Sequence, residues 1–128
     1  MSNDIPFEVL TELEENFKYL HQHPETALKE FKTTAFIKDY LENKCKVELL
    51  DLGLDTGSLA IIRGDSNYGS VGFRADIDVL PLEEQTTLDY KSKNEGCMHA
   101  CGHDAHTAIL LAFARLLSLD NPFKGNVM

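Results

Sequence analysis

The sequence predicts an α/β protein in which helices pack on a mixed sheet. Up to about residue 43, apolar residues recur at three- and four-residue steps, which is typical of helices. Between residues 47 and 75 the pattern changes to short apolar runs separated by glycines, which is typical of strands. A further helical pattern follows a polar loop, and helices combined with strands in this order favour packing on a mixed sheet. With 128 residues, 43% of them hydrophobic, the chain fits one domain with a core.

Two helices are expected at the start of the chain. The first begins after Asp4, because Pro6 is tolerated in a first turn, where its missing N–H has no partner to lose. It ends before Pro24, which pushes the preceding residue away from helical angles. The second helix is expected over residues 26–43. The apolar stripe of the first helix consists of Phe7, Leu10, Leu13, Phe17 and Leu20.

Three strands follow, over residues 47–50, 58–63 and 70–75. Residues 64–67 have the length and composition of a tight connection, so we expect the second and third strands to form a hairpin. The final residues, 124–128, resemble the start of another strand. We therefore expect a sheet that is incomplete and lacks neighbouring strands.

A polar, aperiodic stretch over residues 81–95 is expected to be a surface loop, with Glu83 and Glu84 in solvent. The last helix is expected from Ala105 to Leu119, ended by Asn121-Pro122.

The composition excludes several classes of protein. The formal net charge is −9, and an acidic chain without a basic cluster is unsuited to nucleic acid. No apolar run reaches the roughly 20 residues of a membrane span, and the N-terminus lacks a secretory signal pattern. Three cysteines cannot form a complete set of internal disulfides, so we expect a reducing, cytoplasmic location.

Four potential metal ligands alternate in the sequence: Cys97, His99, Cys101 and His103. On a straight strand, alternate side chains lie about 6.6 Å apart, so the outer two would be about 20 Å apart. Zinc ligands must all lie within about 2.0–2.3 Å of one ion, which excludes all four on one straight strand. Gly102 can bend the chain, so Cys101 and His103 are the preferred ligand pair.

Two alternatives to this pair stay open. These residues could be ordinary turn residues and buried thiols, or Cys97 and His99 could complete a small structural zinc site. Asp104 follows the pair, where a carboxylate would cap the first turn of the last helix.

Two carboxylates, Asp76 and Asp78, stand where the third strand runs out into a loop. Catalytic residues of α/β proteins commonly lie at such strand ends, and a carboxylate there could orient a metal-binding histidine. The alternative is a solvated strand end in which Arg74 pairs with either carboxylate.

The remaining histidines and cysteine give weaker signals. His21 and His23 lie near a helix C-terminus, where histidines are favoured electrostatically, so a ligand role is not needed to explain them. Cys45 is expected to be a core or edge thiol.

Three ordered motifs resemble one enzyme family. They are residues 20–25 (LHQHPE), residues 73–81 (FRADIDVLP) and residues 98–107 (MHACGHDAHT). Together they resemble the N-terminal part of the hippurate-hydrolase and N-acyl-amino-acid amidohydrolase family. This family belongs to the di-metal aminoacylase/carboxypeptidase (zinc peptidase) superfamily, and the resemblance covers nearly the whole chain.

The resemblance implies a phosphorylase/hydrolase-like, three-layer α/β/α catalytic domain with a lid or dimerisation domain inserted later. It implies that Cys101 and His103 are metal ligands and that Asp76 and Asp78 belong to the active centre. The implied reaction is hydrolysis of an N-acyl amino acid or small peptide by a metal-activated water, with a glutamate as general base. Two divalent ions per site are implied; zinc, manganese, nickel and cobalt all suit such ligands.

The resemblance also implies that residues 1–128 are only a partial catalytic domain. The general-base glutamate, the later histidine ligands and the inserted domain do not occur in the sequence, and a catalytic site takes about three protein ligands. We therefore expect an amidohydrolase as the parent protein and a 128-residue polypeptide that is inactive by itself. The alternative is a truncated, non-catalytic module that folds, or forms a homodimer through its open sheet edge, and binds at most one metal.

Overall fold

The computed structural model describes residues 4–65, 67–120 and 123–128. It confirms the predicted α/β fold with a mixed sheet. Within these ranges, the helices and strands are α1 (Phe7–Gln22), α2 (Phe31–Asp39), a π-helical turn (Tyr40–Lys44), β1 (Glu48–Leu50), β2 (Leu59–Arg63), β3 (Ser70–Val71), α3 (His103–Leu119) and β4 (Asn126–Val127). None of the helices in the described part of the chain is long and apolar enough to cross a membrane.

The four strands lie in the order β1-β2-β4-β3. β2 is antiparallel to both β1 and β4, whereas β3 and β4 are parallel. The predicted hairpin between β2 and β3 is therefore wrong, because β4 inserts between them. The start of the connection after β2 instead contacts the residue before β4, because the Asp65 carbonyl accepts a hydrogen bond from Gly125 N–H at 3.1 Å.

Glycines make this insertion sterically possible. A Cβ atom on Gly64 would overlap the carbonyl oxygen of Gly125, and one on Gly125 would overlap the carbonyl oxygen of Gly69. The backbones can approach this closely only because neither residue has a side chain. Ladder pairing in β3 ends at Val71, and one further hydrogen bond joins Phe73 N–H to the Met128 carbonyl at 2.7 Å.

The second helix begins at Phe31 instead of residue 26. Leu28 has a φ of 65°, which is left-handed and interrupts a right-handed helix. Glu25 then caps α2 from outside the helix, because its carboxylate accepts hydrogen bonds from the N–H groups of Lys32 (3.2 Å) and Thr33 (2.6 Å). The Thr33 hydroxyl donates to the same carboxylate at 2.7 Å.

The core lies where α2, the π-helical turn and α3 meet β1 and β2. Its buried residues are Ile37, Tyr40, Leu41, Cys45 and Leu111. Cys45 is the core thiol that the sequence predicts, and burial raises its pKa to about 11, which keeps the thiol protonated. α1 packs along α3, and the Tyr40 hydroxyl ties the π-helical turn to α1 by donating to Glu12 at 2.6 Å. α3 thus packs against α1 and against the π-helical turn.

The last helix begins at His103, two residues before the predicted start, and ends at Leu119. Asn121 and Pro122, which are predicted to end it, lie outside the described residues. His103 is therefore the first residue of α3, and the packing of α3 against α1 and the π-helical turn helps to position its side chain.

Candidate metal centre

The start of α3 lies against the extended segment that carries Asp76 and Asp78. His103 Nδ1 lies 3.0 Å from Asp78 Oδ1 and 3.0 Å from the main-chain oxygen of Asp78. Both partners are acceptors, so Nδ1 carries the proton and the lone pair is on Nε2. His103 Nε2 lies 4.0 Å from Asp76 Oδ2. The structure thus brings both predicted carboxylates to the predicted histidine ligand.

A histidine held in this way fits a metal ligand. Metal-binding histidines almost always donate their other ring N–H to a carboxylate or carbonyl, which fixes the tautomer and the ring orientation. Asp78 supplies both kinds of acceptor. The His103 side chain is 21% exposed, so the ring is held in place while part of it remains accessible.

Asp76 is further constrained by an ion pair with Arg74. The Arg74 side chain is 81% exposed, and a pair this open to water contributes little to stability. The predicted pairing of Arg74 is thus with Asp76. The ion pair uses Asp76 Oδ1, while Asp76 Oδ2 lies 4.0 Å from His103 Nε2.

Cys101 lies on the far side of the predicted bend. Gly102 has a φ of 92°, a left-handed conformation that favours glycine, so the predicted bend at this residue is confirmed. The Cys101 residue is exposed, and it is separated from His103 only by this bend. Over residues 4–65, 67–120 and 123–128, no group of three or more His, Cys, Asp or Glu side chains is arranged so that it could hold a metal ion. Cys101 as a ligand therefore stays a prediction.

The other two members of the alternating run make no hydrogen bond to His103 among the described residues, although His99 is close enough to interact electrostatically with His103 and Asp78. Cys97 is half-buried and His99 is buried. Neither ring nitrogen of His99 hydrogen-bonds to a described residue. Burial lowers the pKa of His99 to about 4, so the ring is neutral near neutral pH.

One cluster beside the site was not predicted from the sequence. His21 Nδ1 lies 2.7 Å from Asp104 Oδ2, and His21 Nε2 lies 2.7 Å from Glu84 Oε1. The prediction that Glu84 is solvated is wrong, since the residue is 3% exposed, whereas Glu83 is exposed. His21 is likewise buried, not a free histidine at a helix end.

The electrostatics of this cluster favour a charged imidazole. Burial by itself lowers the pKa of His21, but the hydrogen bonds to Glu84 and Asp104 and the charges of these carboxylates outweigh it, so the pKa is raised. The pKa of Glu84 is lowered: burial raises it, but hydrogen bonds from Ser92 N–H and His21 prevail. A charged imidazole can donate from both nitrogens, as its two carboxylate partners require.

Spacing along the sequence does not reveal this cluster, because Glu84 and Asp104 follow His21 by 63 and 83 residues. The LHQHPE motif of residues 20–25 is a weak signal, because two of its polar residues contact other helices instead of only ending α1. His21 reaches the start of α3, and Glu25 caps α2.

Comparison with known proteins shows which family the chain resembles. Residues 72–128, which include the Asp76, Asp78 and His103 positions, match the model of Peptidase family M20/M25/M40. An N-acetyl-L-cysteine deacetylase of Bacillus subtilis is 52% identical over 111 residues, which cover 86% of this chain and 26% of the relative. An N-acetylcysteine deacetylase of the same organism is 47% identical over 100 residues, covering 77% of this chain and 26% of the relative.

Solved structures give the same result. The Bacillus subtilis YXEP protein, described as a dinuclear metal binding peptidase from the M20 family, superposes with a TM-score of 0.89 at 43% identity. The match covers 94% of this chain and 34% of that one. A putative aminohydrolase from methicillin-resistant Staphylococcus aureus gives a TM-score of 0.79 at 37% identity, over 91% of this chain and 31% of that one.

The chain spans about a quarter of the length of the curated relatives it matches. Within that span, the family model, the relatives and the solved structures all agree with the resemblance seen in the sequence. Residues 72–128 are thus part of a domain of the peptidase family M20/M25/M40.

Proposed function

We propose that the protein is a metal-dependent amidohydrolase that acts on N-acyl amino acids or small peptides. Cys101 and His103 are its metal ligands, and Asp76 and Asp78 belong to its active centre. The observation that carries the proposal is the contact of His103 Nδ1 with Asp78, which leaves Nε2 free to bind a metal.

The chain's own residues have separate roles in this proposal. Asp78 holds the proton of His103 on Nδ1 and fixes the direction of the Nε2 lone pair. Asp76 places a second negative charge within 4.0 Å of the same nitrogen, which favours a divalent cation there. When bound, divalent metals would polarise the substrate carbonyl and lower the pKa of the attacking water.

The proposal includes two metal ions per active site, of zinc, manganese, nickel or cobalt. The donor set supports this range, because thiolate and imidazole suit zinc and carboxylates also suit manganese. The similar Bacillus structure is titled a dinuclear metal-binding peptidase. Two deacetylases of N-acetylcysteine among the relatives support an N-acyl amino acid as the substrate class. A cytoplasmic location and a homodimer stay predictions.

We further propose that residues 1–128 alone do not catalyse this reaction. A catalytic metal site takes about three protein ligands and one open position. The sequence supplies two predicted ligands, Cys101 and His103. The rival function, a truncated non-catalytic module that binds at most one metal, predicts no hydrolysis, whereas the proposed function predicts hydrolysis by the full-length protein.

The test is an assay of the metal-loaded full-length protein on N-acetyl, N-benzoyl and N-carbamoyl amino acids and on dipeptides. We expect metal-dependent release of the free amino group, abolished by Cys101→Ala and by His103→Ala. Cys97→Ser is the matched control, because Cys97 belongs to the same run and is not a proposed ligand; it should retain activity. Retained activity in both ligand variants would overturn the ligand assignment. An inactive full-length protein would favour the non-catalytic module.

A further inference from the structure

Three buried ionisable side chains connect α1 to the start of α3. The side chains of His21, Glu84 and Asp104 are 7%, 1% and 4% exposed. His21 is near the end of α1, Glu84 is in the loop after the Asp78 segment, and Asp104 is the second residue of α3. His21 lies between the two carboxylates at 2.7 Å from each. Burying three such groups is unfavourable unless each is paired, and here each one is.

Both ends of this bridge are anchored. Glu84 accepts hydrogen bonds from the Ser92 backbone N–H and from the Thr86 hydroxyl, the latter at 2.9 Å. At the other end, Asp104 Oδ1 accepts a hydrogen bond from Ala105 N–H at 2.9 Å, which ties this carboxylate to the first turn of α3. The bridge therefore runs from a fixed loop, through His21, to the backbone beside His103.

Two other described contacts reach the start of α3: His103 Nδ1 lies 3.0 Å from Asp78 Oδ1, and the Thr107 hydroxyl donates a hydrogen bond to the main-chain oxygen of Asp76 at 3.1 Å. Both are less buried than the ion pair of Asp104 with His21. The N-cap of α3 is Gly102, which provides no side-chain cap and, lacking a Cβ, restricts the backbone of the turn less than another residue would. The predicted function of Asp104 as a simple cap is thus only part of its role, because its second oxygen is bound to His21. Without His21, that oxygen would be buried and unpaired.

We propose that His21 is a positioning residue, which holds Asp104 and thereby fixes the first turn of α3 and the direction in which His103 Nε2 faces. The inference rests on the proposed function, since it concerns the orientation of a proposed metal ligand. His21 itself does not bind the metal. His21 acts on the His103 ring indirectly, through Asp104 and the first turn of α3. Asp78 contacts the same ring directly, from a different segment of the chain.

The test is a zinc titration of the full-length protein in competition with a chromophoric chelator. His21→Gln should weaken zinc binding by about 10-fold or more, which is the size of effect seen when groups that orient a ligand are removed. Asp104→Asn should weaken it similarly. The variant that carries both substitutions should bind zinc no more weakly than the single variant with the lower zinc affinity, because His21 and Asp104 act on His103 through the same contact.

Tyr40→Phe is the matched control, because it removes another buried hydrogen bond to α1, the 2.6 Å contact with Glu12, away from His103. It should lower the melting temperature while leaving zinc affinity unchanged. If His21→Gln and Tyr40→Phe affect zinc affinity equally, or if His21→Gln lowers only the melting temperature, then His21 is merely structural and the inference is wrong.

His103→Ala in the same titration separates this inference from the proposed function. If His103→Ala binds zinc as tightly as the wild type, the proposed ligand assignment fails. If His103→Ala loses zinc while His21→Gln keeps it, only the positioning role fails. Should His21→Gln fail to fold, Glu84→Gln replaces it: weaker zinc binding supports the inference, and unchanged binding overturns it.

Discussion

His103 Nδ1 lies 3.0 Å from two oxygens of Asp78, one on the side chain and one on the main chain. The two residues are 25 positions apart, so the contact joins the end of the extended segment to the first residue of α3. Because both oxygens are acceptors, they fix one tautomer of the ring. This contact defines which nitrogen of His103 can bind a metal.

Asp78→Asn is expected to weaken metal binding by about 10-fold or more, because the amide is neutral and can present its NH₂ group to His103. The measurement is a zinc titration of the full-length protein. Asp51→Asn is the control, since Asp51 is an exposed carboxylate that accepts only a local hydrogen bond from Gly53 N–H. Equal zinc affinity of Asp78→Asn and the wild type would contradict the orienting role of Asp78.

The stabilising effect of His21 is expected to depend on pH. The titratable groups that face its ring are Glu84, Asp104, His99 and Tyr90. Their balance raises the folded-state pKa of His21 above its ordinary value of 6.5. The stabilisation is therefore fully present below about pH 6.5 and is lost as the pH rises through the folded-state pKa.

The free energy of unfolding of His21→Gln, relative to the wild type, measures this effect. Urea denaturation of the metal-free full-length protein should show the largest deficit near pH 6 and a smaller deficit near pH 9. Metal-free protein is used because metal binding depends on pH in its own right. A deficit that stays constant over this range would show that the charge of His21 does not contribute.

Glu25→Ala is expected to destabilise the protein by about 1–2 kcal/mol, because it removes the acceptor for the first N–H groups of α2. Glu25→Gln retains one amide oxygen and should cost less. The measurement is the urea midpoint of the full-length protein. Equal midpoints for Glu25→Ala and the wild type would exclude the capping role.

Gly64→Ala is expected to destabilise the sheet by about 1–3 kcal/mol, because its Cβ would overlap the Gly125 carbonyl and push β4 away from β2. Gly53→Ala is the contrasting variant. Gly53 has a φ of 65° but no atom within 4 Å of the added Cβ, so only backbone strain remains. Thermal denaturation of both variants compares the two effects. A smaller loss in Gly64→Ala than in Gly53→Ala would contradict the strand order.

The sequence predicted the fold and the site only where the signals are local. The stripe from Phe7 to Leu20 repeats at helical spacing, and α1 follows it closely. Gly102 was expected to bend the chain, and it does. The family resemblance points to Asp76, Asp78, Cys101 and His103 together; in the structure the side chains of Asp76 and Asp78 lie beside His103, while their roles stay predictions.

Long-range relationships could not be predicted in this way. The position of β4 between β2 and β3 depends on a close approach between Gly64 and Gly125, which are far apart in sequence. The start of α2 depends on a left-handed residue, Leu28, whose side chain does not favour that conformation. The burial of Glu84 depends on His21, and neither residue reveals its partner through local spacing.

The assignment of Cys101 and His103 as metal ligands is tested by the number of metal ions bound per chain of the full-length protein, measured by elemental analysis after dialysis. The wild type and Cys97→Ser should each hold two ions. Cys101→Ser and His103→Ala should each hold fewer than two. If both of these variants still hold two ions, then Cys101 and His103 are not metal ligands, and the proposed metal centre is wrong.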